Sequence, residues 1–185
     1  MAKYTGYVTI PTTTYDIWKN AVNGNGYDVD NTYGCQCWDL TAEFWYNVGF
    51  PQGYPTLSGT GSAYGAWIDR EQNAGDKFDL IYNKTQIKRG DVIVFNYFTG
   101  NPYGHIGFAD EDYNGTNTIN ILSENNGGTP DPSGGAYTNV NSYDLTYFLG
   151  VFRYKDWQTT PITTSKRQQK RFPWVLYSRK LRDKF

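Results

Sequence analysis

Histidine occurs once in this chain of 185 residues, methionine once, and cysteine only twice, at positions 35 and 37. Two cysteines so close together cannot staple a fold, because the small ring strains disulfide geometry. Their thiols are therefore chemistry or packing. Any imidazole base, and any imidazole metal ligand, must be His105. No run approaches the roughly 18 apolar residues that a membrane span needs. The start, MAKYTGYVTI, lacks the charged-then-apolar layout of a secretory signal. A soluble protein not secreted by that route is expected, with neither a membrane nor a nucleic acid as partner.

Charged residues are also few, at 19%, whereas aromatic residues reach 18%, with 17 Tyr, 10 Phe and 6 Trp. Many of those rings must be partly exposed. Rings with a polar tip suit wet interfaces and flat polar substrates, although a Tyr-rich β surface without a ligand has the same composition. The length suits one well-buried core with a tail. The near-zero net charge conceals a split. Residues 1–154 carry 8 basic against 16 acidic side chains, and residues 155–185 carry 9 against 2. A catalytic body over 1–154 and a basic tail over 155–185 follow, the tail either docking on an anionic polymer or acidic partner or folding back on its own body.

Along the chain, Thr14 can cap a helix over 15–23, with Ile17, Trp18, Ala21 and Val22 as its apolar face and Gly24 as its stop. A second helix is expected over 35–48, with Leu40, Phe44, Trp45 and Val48 inward and Gly49 and Pro51 ending it. A Gly/Pro/Ser/Thr loop over 52–61 precedes a third helix that Ser62 could cap, to about residue 73. Strands follow at 78–82, 91–98, 105–110, 116–123 and 147–154, with a long Gly/Asn/Pro-rich loop over 125–144. Helices first and strands second define an α+β domain.

The segment from Asp28 to Asp39 combines two kinds of chemistry. Cys37 falls in the first turn of the second helix, where unpaired N–H groups and the helix dipole lower a thiol's pKa and favour thiolate. A Cys/His pair with His105 is the simplest use of both residues. The strand ending ILSENNGG presents Glu124, Asn125 and Asn126, any of which could fix the imidazole's tautomer and ring plane. A plain polar strand end would look the same. Asp28, Asp30 and Asp39, with the carbonyls of Thr32 and Gly34, make an alternating oxygen set of the kind Ca²⁺ takes. Asx turns in a Gly/Asn-rich loop are the alternative. A zinc site from Cys35, Cys37, His105 and an acid is a weaker pattern.

With QCWDL at a helix head, GDVIVF leading into GHIGFA, and an E-x-N element at a strand end, the chain resembles the CHAP family of cysteine, histidine-dependent amidohydrolases and peptidases. The resemblance covers residues 14–154. It implies a papain-like single domain, N-terminal helices on an antiparallel sheet, as found in bacteriophage endolysins and virion-associated lysins that cut Gram-positive peptidoglycan. By position it makes Cys37 the nucleophile, His105 the base, Glu124 its orienting residue and Asn126 a further polar site residue. It assigns Asp28, Asp30, Thr32, Gly34 and Asp39 to a structural Ca²⁺. Such a protein would be phage-encoded, held in the host cytoplasm until lysis or carried on a virion tail, and would act at the cell wall. No SH3- or LysM-type wall-binding module follows, so the tail, or another phage protein bound through it, would supply targeting. The rival from another class is a non-catalytic wall-binding or structural module of a phage tail.

Overall fold

The computed structural model describes residues 1–157, and it has the α+β order expected, with helices preceding a sheet of six antiparallel strands. Most of the basic tail, residues 158–185, lies outside the described residues. The chain opens with a short parallel pair, β1 (Lys3–Thr5) and β2 (Gly26–Asp28), which flanks the first helix. Helix α1 (Tyr15–Val22) is capped as its sequence predicts, the Thr14 side chain accepting the Ile17 N–H at 3.2 Å. Its buried stripe runs through Tyr15, Trp18 and Val22. Ile17, expected in that stripe, lies about 100° around the helix from Trp18 and is exposed.

Helix α2 (Cys37–Asn47) carries the core. It starts two residues later than expected because Cys35 is extended. That residue donates its N–H to the Gly134 carbonyl and accepts from the Ala136 N–H. Gln36 is the N-cap, and Asp39, at the third helical position, accepts the Gln36 N–H at 3.0 Å. A carboxylate there both satisfies an orphan donor and suits the positive end of the helix. Leu40, Phe44, Trp45 and Val48 are buried, as the periodicity predicts. Phe44 meets Trp18, Phe78, Phe108, Tyr154 and Trp157 within aromatic range, and Trp45 stacks on Phe78 with ring centroids 4.4 Å apart.

The third helix is broken into α3 (Gly65–Ile68) and α4 (Arg70–Ala74), and Ser62 does not cap it. Side chains at the break hold the preceding loop. The Asp69 carboxylate accepts the Thr56 hydroxyl and the Ser58 N–H, and Asn73 accepts the Thr56 N–H while donating to the Ala66 and Thr56 carbonyls. Such polar side chains compete with the helix for backbone partners.

Six strands follow: β3 (Phe78–Ile81), β4 (Val92–Phe95), β5 (His105–Ala109), β6 (Thr118–Ser123), β7 (Asn139–Asp144) and β8 (Phe148–Tyr154), in the order β3-β8-β4-β5-β6-β7. Strand β7 falls where a loop was expected. Its residues, NVNSYD, lack apolar alternation because it is an edge strand, stabilised by its ladder with β6 rather than by a buried face. Alternation divides the sheet's side chains between two clusters. Val92, Val94, Ile106, Phe108 and Leu122 pack with the helices. Ile93, Phe95, Ala109, Ile119, Ile121 and Val151 form a second cluster on the other face.

Candidate active site

Two elements meet at one end of the sheet. Cys37, the first residue of α2, keeps partial access to solvent. His105, the first residue of β5, is buried and pairs across the ladder with Phe95. The approach is made possible by Gly104, at φ +68°, where a Cβ would strike the Phe95 carbonyl and the Tyr64 side chain. The N–H of Ile106, next to His105, reaches the Cys37 thiol, as does the N–H of Trp38 at the helix start. Tyr143, whose ring lies on the imidazole, is close enough to the thiol to feel its charge. The sole imidazole and the helix-tip sulfur thus occupy one locality.

The electrostatics differ from the expectation of a thiolate. Burial pushes the Cys37 thiol up to about 12, overcoming the N–H groups of Ile106 and Trp38, with Asp39 and Glu124 raising it further. Burial also lowers His105 to about 4. The helix tip does favour the anion, but desolvation disfavours charge on either partner and is the larger effect. Each group is therefore held neutral at neutral pH, the sulfur protonated and the ring unprotonated.

Glu124 and Asn126 are both buried near the end of β6. Glu124 accepts the Tyr27 N–H and lies within reach of the Thr138 hydroxyl at 3.4 Å. No hydrogen bond joins it to His105 among the described residues, so the expected carboxylate–imidazole bond is not formed here. The cause is alternation: the pleat turns Glu124 toward β2 on the helix side of the sheet and His105 toward Phe95 on the other. Burial holds the Glu124 carboxyl well above the usual range. The His105 Nε2 and Asn126 Nδ2 atoms are buried without partners among the described residues. Asn125, exposed next to Asn126 in the chain, donates to the Gln36 side chain at 2.7 Å and so links the strand end to the residue before Cys37.

The acidic trio converges. Asp28, Asp30 and Asp39 each offer an oxygen within 4.8 Å of the others, and no other group of three or more potential metal ligands forms among the described residues. Cys35, Cys37 and His105 therefore do not gather with an acid as the zinc pattern required. Asp28 and Asp39 are buried, and Asp28 Oδ1 is an orphaned buried oxygen. Three hard carboxylates with an unsatisfied oxygen among them fit a hard cation such as Ca²⁺. Thr32 and Gly34 follow on the same loop, where Asn31, Tyr33 and Gly34 all have positive φ. Sequence reasoning missed Lys3. Its ammonium lies 3.1 Å from Asp28 and 2.7 Å from Asp131 and bonds the Ser133 hydroxyl, and Asp131 also accepts the Cys35 N–H. No local pattern signals it, since Asp28 lies 25 positions away and Asp131 and Ser133 lie 128 and 130 positions away.

A helix-tip thiol, a strand-borne imidazole and a papain-like arrangement of helices on an antiparallel sheet define the class: an α+β domain of the thiol-dependent type. The profile of the CHAP domain matches residues 22–125. The chain belongs to that family. It is 34% identical over 154 residues to the D-alanyl-L-alanine endopeptidase of Streptococcus phage B30, an alignment that covers 82% of this chain and 32% of the relative. The chain thus spans about a third of that relative's length. Its fold is similar to the crystal structure of the wild-type endolysin LysIME-EF1, with a TM-score of 0.60 and 27% identity over 80% of this chain and 67% of that one. Among the described residues no helix is long and apolar enough to cross a membrane.

Proposed function

We propose that this CHAP domain is a phage peptidoglycan hydrolase that cleaves an amide bond of the Gram-positive cell wall through Cys37 and His105. The observation that carries the reading is the placement of the Cys37 thiol at a helix tip, against the N–H of the residue adjoining the chain's single histidine. In this reading His105 takes the thiol proton as sulfur attacks the amide carbonyl, then returns it to the leaving amine, and water releases the acyl group. The N–H of Cys37 serves the developing oxyanion, a contribution of roughly 3 kcal/mol in comparable sites. Asn126 supplies a free buried donor to the site wall. Glu124 acts through the β2 backbone it holds rather than through a bond to the ring. The activity named for the phage B30 relative favours a peptide bond of the stem or cross-bridge over the muramoyl-alanine amide.

Tyr64, whose side chain touches the Gly104 position, pairs with Tyr97 at 5.2 Å, and both Tyr97 and Tyr103 are exposed. These rings offer flat faces to a glycopeptide entering beside His105. Ca²⁺, when bound by Asp28, Asp30 and Asp39 with the carbonyls of Thr32 and Gly34, supplies charge neutralisation for a loop that leads into the nucleophile; its role is structural. Whether the basic tail docks the domain on anionic wall polymers is tested by deleting 155–185 and comparing whole cells with soluble wall fragments. The central test is Cys37→Ala on purified Gram-positive walls, read by mass spectrometry of released fragments. Loss of new peptide termini is expected. Undiminished cleavage by that variant overturns the proposal.

A further inference from the structure

The imidazole of His105 lacks the partner that would set its plane. Its Nε2 is buried without a hydrogen bond, and Glu124 is committed elsewhere. What contacts the ring face is Tyr143. The two ring centroids lie 4.8 Å apart with an interplanar angle of 12°, a parallel stack. Tyr143 is itself braced by Phe95 at 4.4 Å, the residue paired with His105 across the β4–β5 ladder. Its phenol is reached by the Asn101 side chain. The same Asn101 donates to the Gly104 carbonyl at 2.8 Å and accepts the Tyr103 N–H, so it also fixes the loop that delivers His105 to the strand.

From this arrangement we propose that Tyr143 is the positioning residue for the base, holding the His105 ring plane by stacking where no carboxylate does so by hydrogen bonding. The inference rests on the reading of His105 as the base in the proposed hydrolysis. A stacked ring restricts tilt of the imidazole without occupying either nitrogen, so the ring stays free to take the thiol proton in the proposed reaction. It also offers a π face to the ring when it becomes cationic after taking the proton, an attraction that water would otherwise have to supply. The brace comes from β7, the polar edge strand, so one tyrosine in NVNSYD has a role that its strand's composition does not announce.

The chain has one histidine, so in protein free of added histidines a single imidazole spin system reports on this contact. In wild-type protein and in Tyr143→Phe, the His105 ring resonances are expected to be displaced upfield by the stacked ring. In Tyr143→Leu they should move toward the positions of a free imidazole. On soluble cross-linked muropeptides, Tyr143→Leu is expected to lower kcat by roughly 10- to 100-fold, the scale of losing alignment of a reacting group. KM should stay within about twofold, the signature of an interaction used in the transition state rather than in binding. Tyr143→Phe should restore kcat. Tyr143→Met, which restores volume without a ring, carries the same comparison if the leucine variant melts early. Cys37→Ala and His105→Ala run beside them. If both are inactive while Tyr143→Leu and Tyr143→Met turn over like wild type with unmoved resonances, the positioning role is refuted and the hydrolase reading stands. If Cys37→Ala or His105→Ala retains full activity, the reading of the site itself fails.

Discussion

Acid should cost this fold stability through one residue. His105 is buried, and its ring is lowered from an ordinary 6.5 to about 4 by that burial. The unfolded chain therefore takes up a proton near pH 6.5, and the folded one only near pH 4. Between those values the unfolded state binds more protons, so stability is complete above 6.5 and falls as the pH drops toward 4. The gap converts to roughly 3 kcal/mol at 1.36 kcal/mol per unit. Of the neighbouring groups, the Cys37 thiol is pushed up to about 12 and the Tyr143 phenol is also raised, so neither titrates in this window. Burial raises Glu43 to about 7 and Asp39 to about 8, so these carboxyls hold protons in the folded state across the window and oppose the histidine effect, which makes the difference between wild type and His105→Gln the informative quantity. Urea unfolding across the window gives that difference, and imidazole NMR of the sole histidine gives its midpoint directly. The acid limb of kcat/KM should lie near the same low value, because the free enzyme's base must be unprotonated. An imidazole that titrates at or above 6.5, with a pH-independent stability difference, would refute the argument from burial.

Three further outcomes follow from other parts of the molecule. Chelation should lower Tm and added Ca²⁺ should restore it, the ion contributing about 2.7 kcal/mol at a hundred times its Kd; a melting curve indifferent to both, or to Asp28→Asn, removes the ion from this account. Phe44→Ala should destabilise by about 3–5 kcal/mol, as for other buried Phe truncations, because six aromatic neighbours surround that ring; a loss near zero in urea titration would mean that α2 is not the core helix. Asp131→Ala removes the nearer of the two carboxylates on Lys3 and one of the two acceptors of the Cys35 N–H and should cost about 1–3 kcal/mol, with faster proteolysis at residues 129–136; unchanged cleavage kinetics would show that this contact does not hold the loop.

Helices α1 and α2 could be read from the chain because a cap, a 3.6-residue apolar period and a glycine stop agree with one another. The strands of the sheet's middle could be read because Val, Ile and Phe runs bounded by turns leave few alternatives. What failed was local in appearance and tertiary in cause. The third helix broke because Asp69 and Asn73 spend their side chains on the preceding loop, and β7 was hidden because an edge strand needs only a neighbour's free ladder. At the candidate site, Cys37, His105, Glu124, Asn126 and the acidic trio could be put forward as candidates from the residues and the family resemblance. Glu124's actual partners could not, nor could Lys3 or Tyr143, since those contacts join residues that are remote along the chain.

The amino-acid order alone determined the kinds of group available: one imidazole, a thiol at a helix start, and three carboxylates spaced along a loop. Tertiary structure decided their state. Burial is a property of everything packed around a group, so only the fold could turn a helix-tip cysteine expected to be anionic into a neutral thiol and hold the sole imidazole neutral as well. Only the fold, likewise, could supply that ring with a stacked tyrosine from a strand whose polar residues say nothing of it.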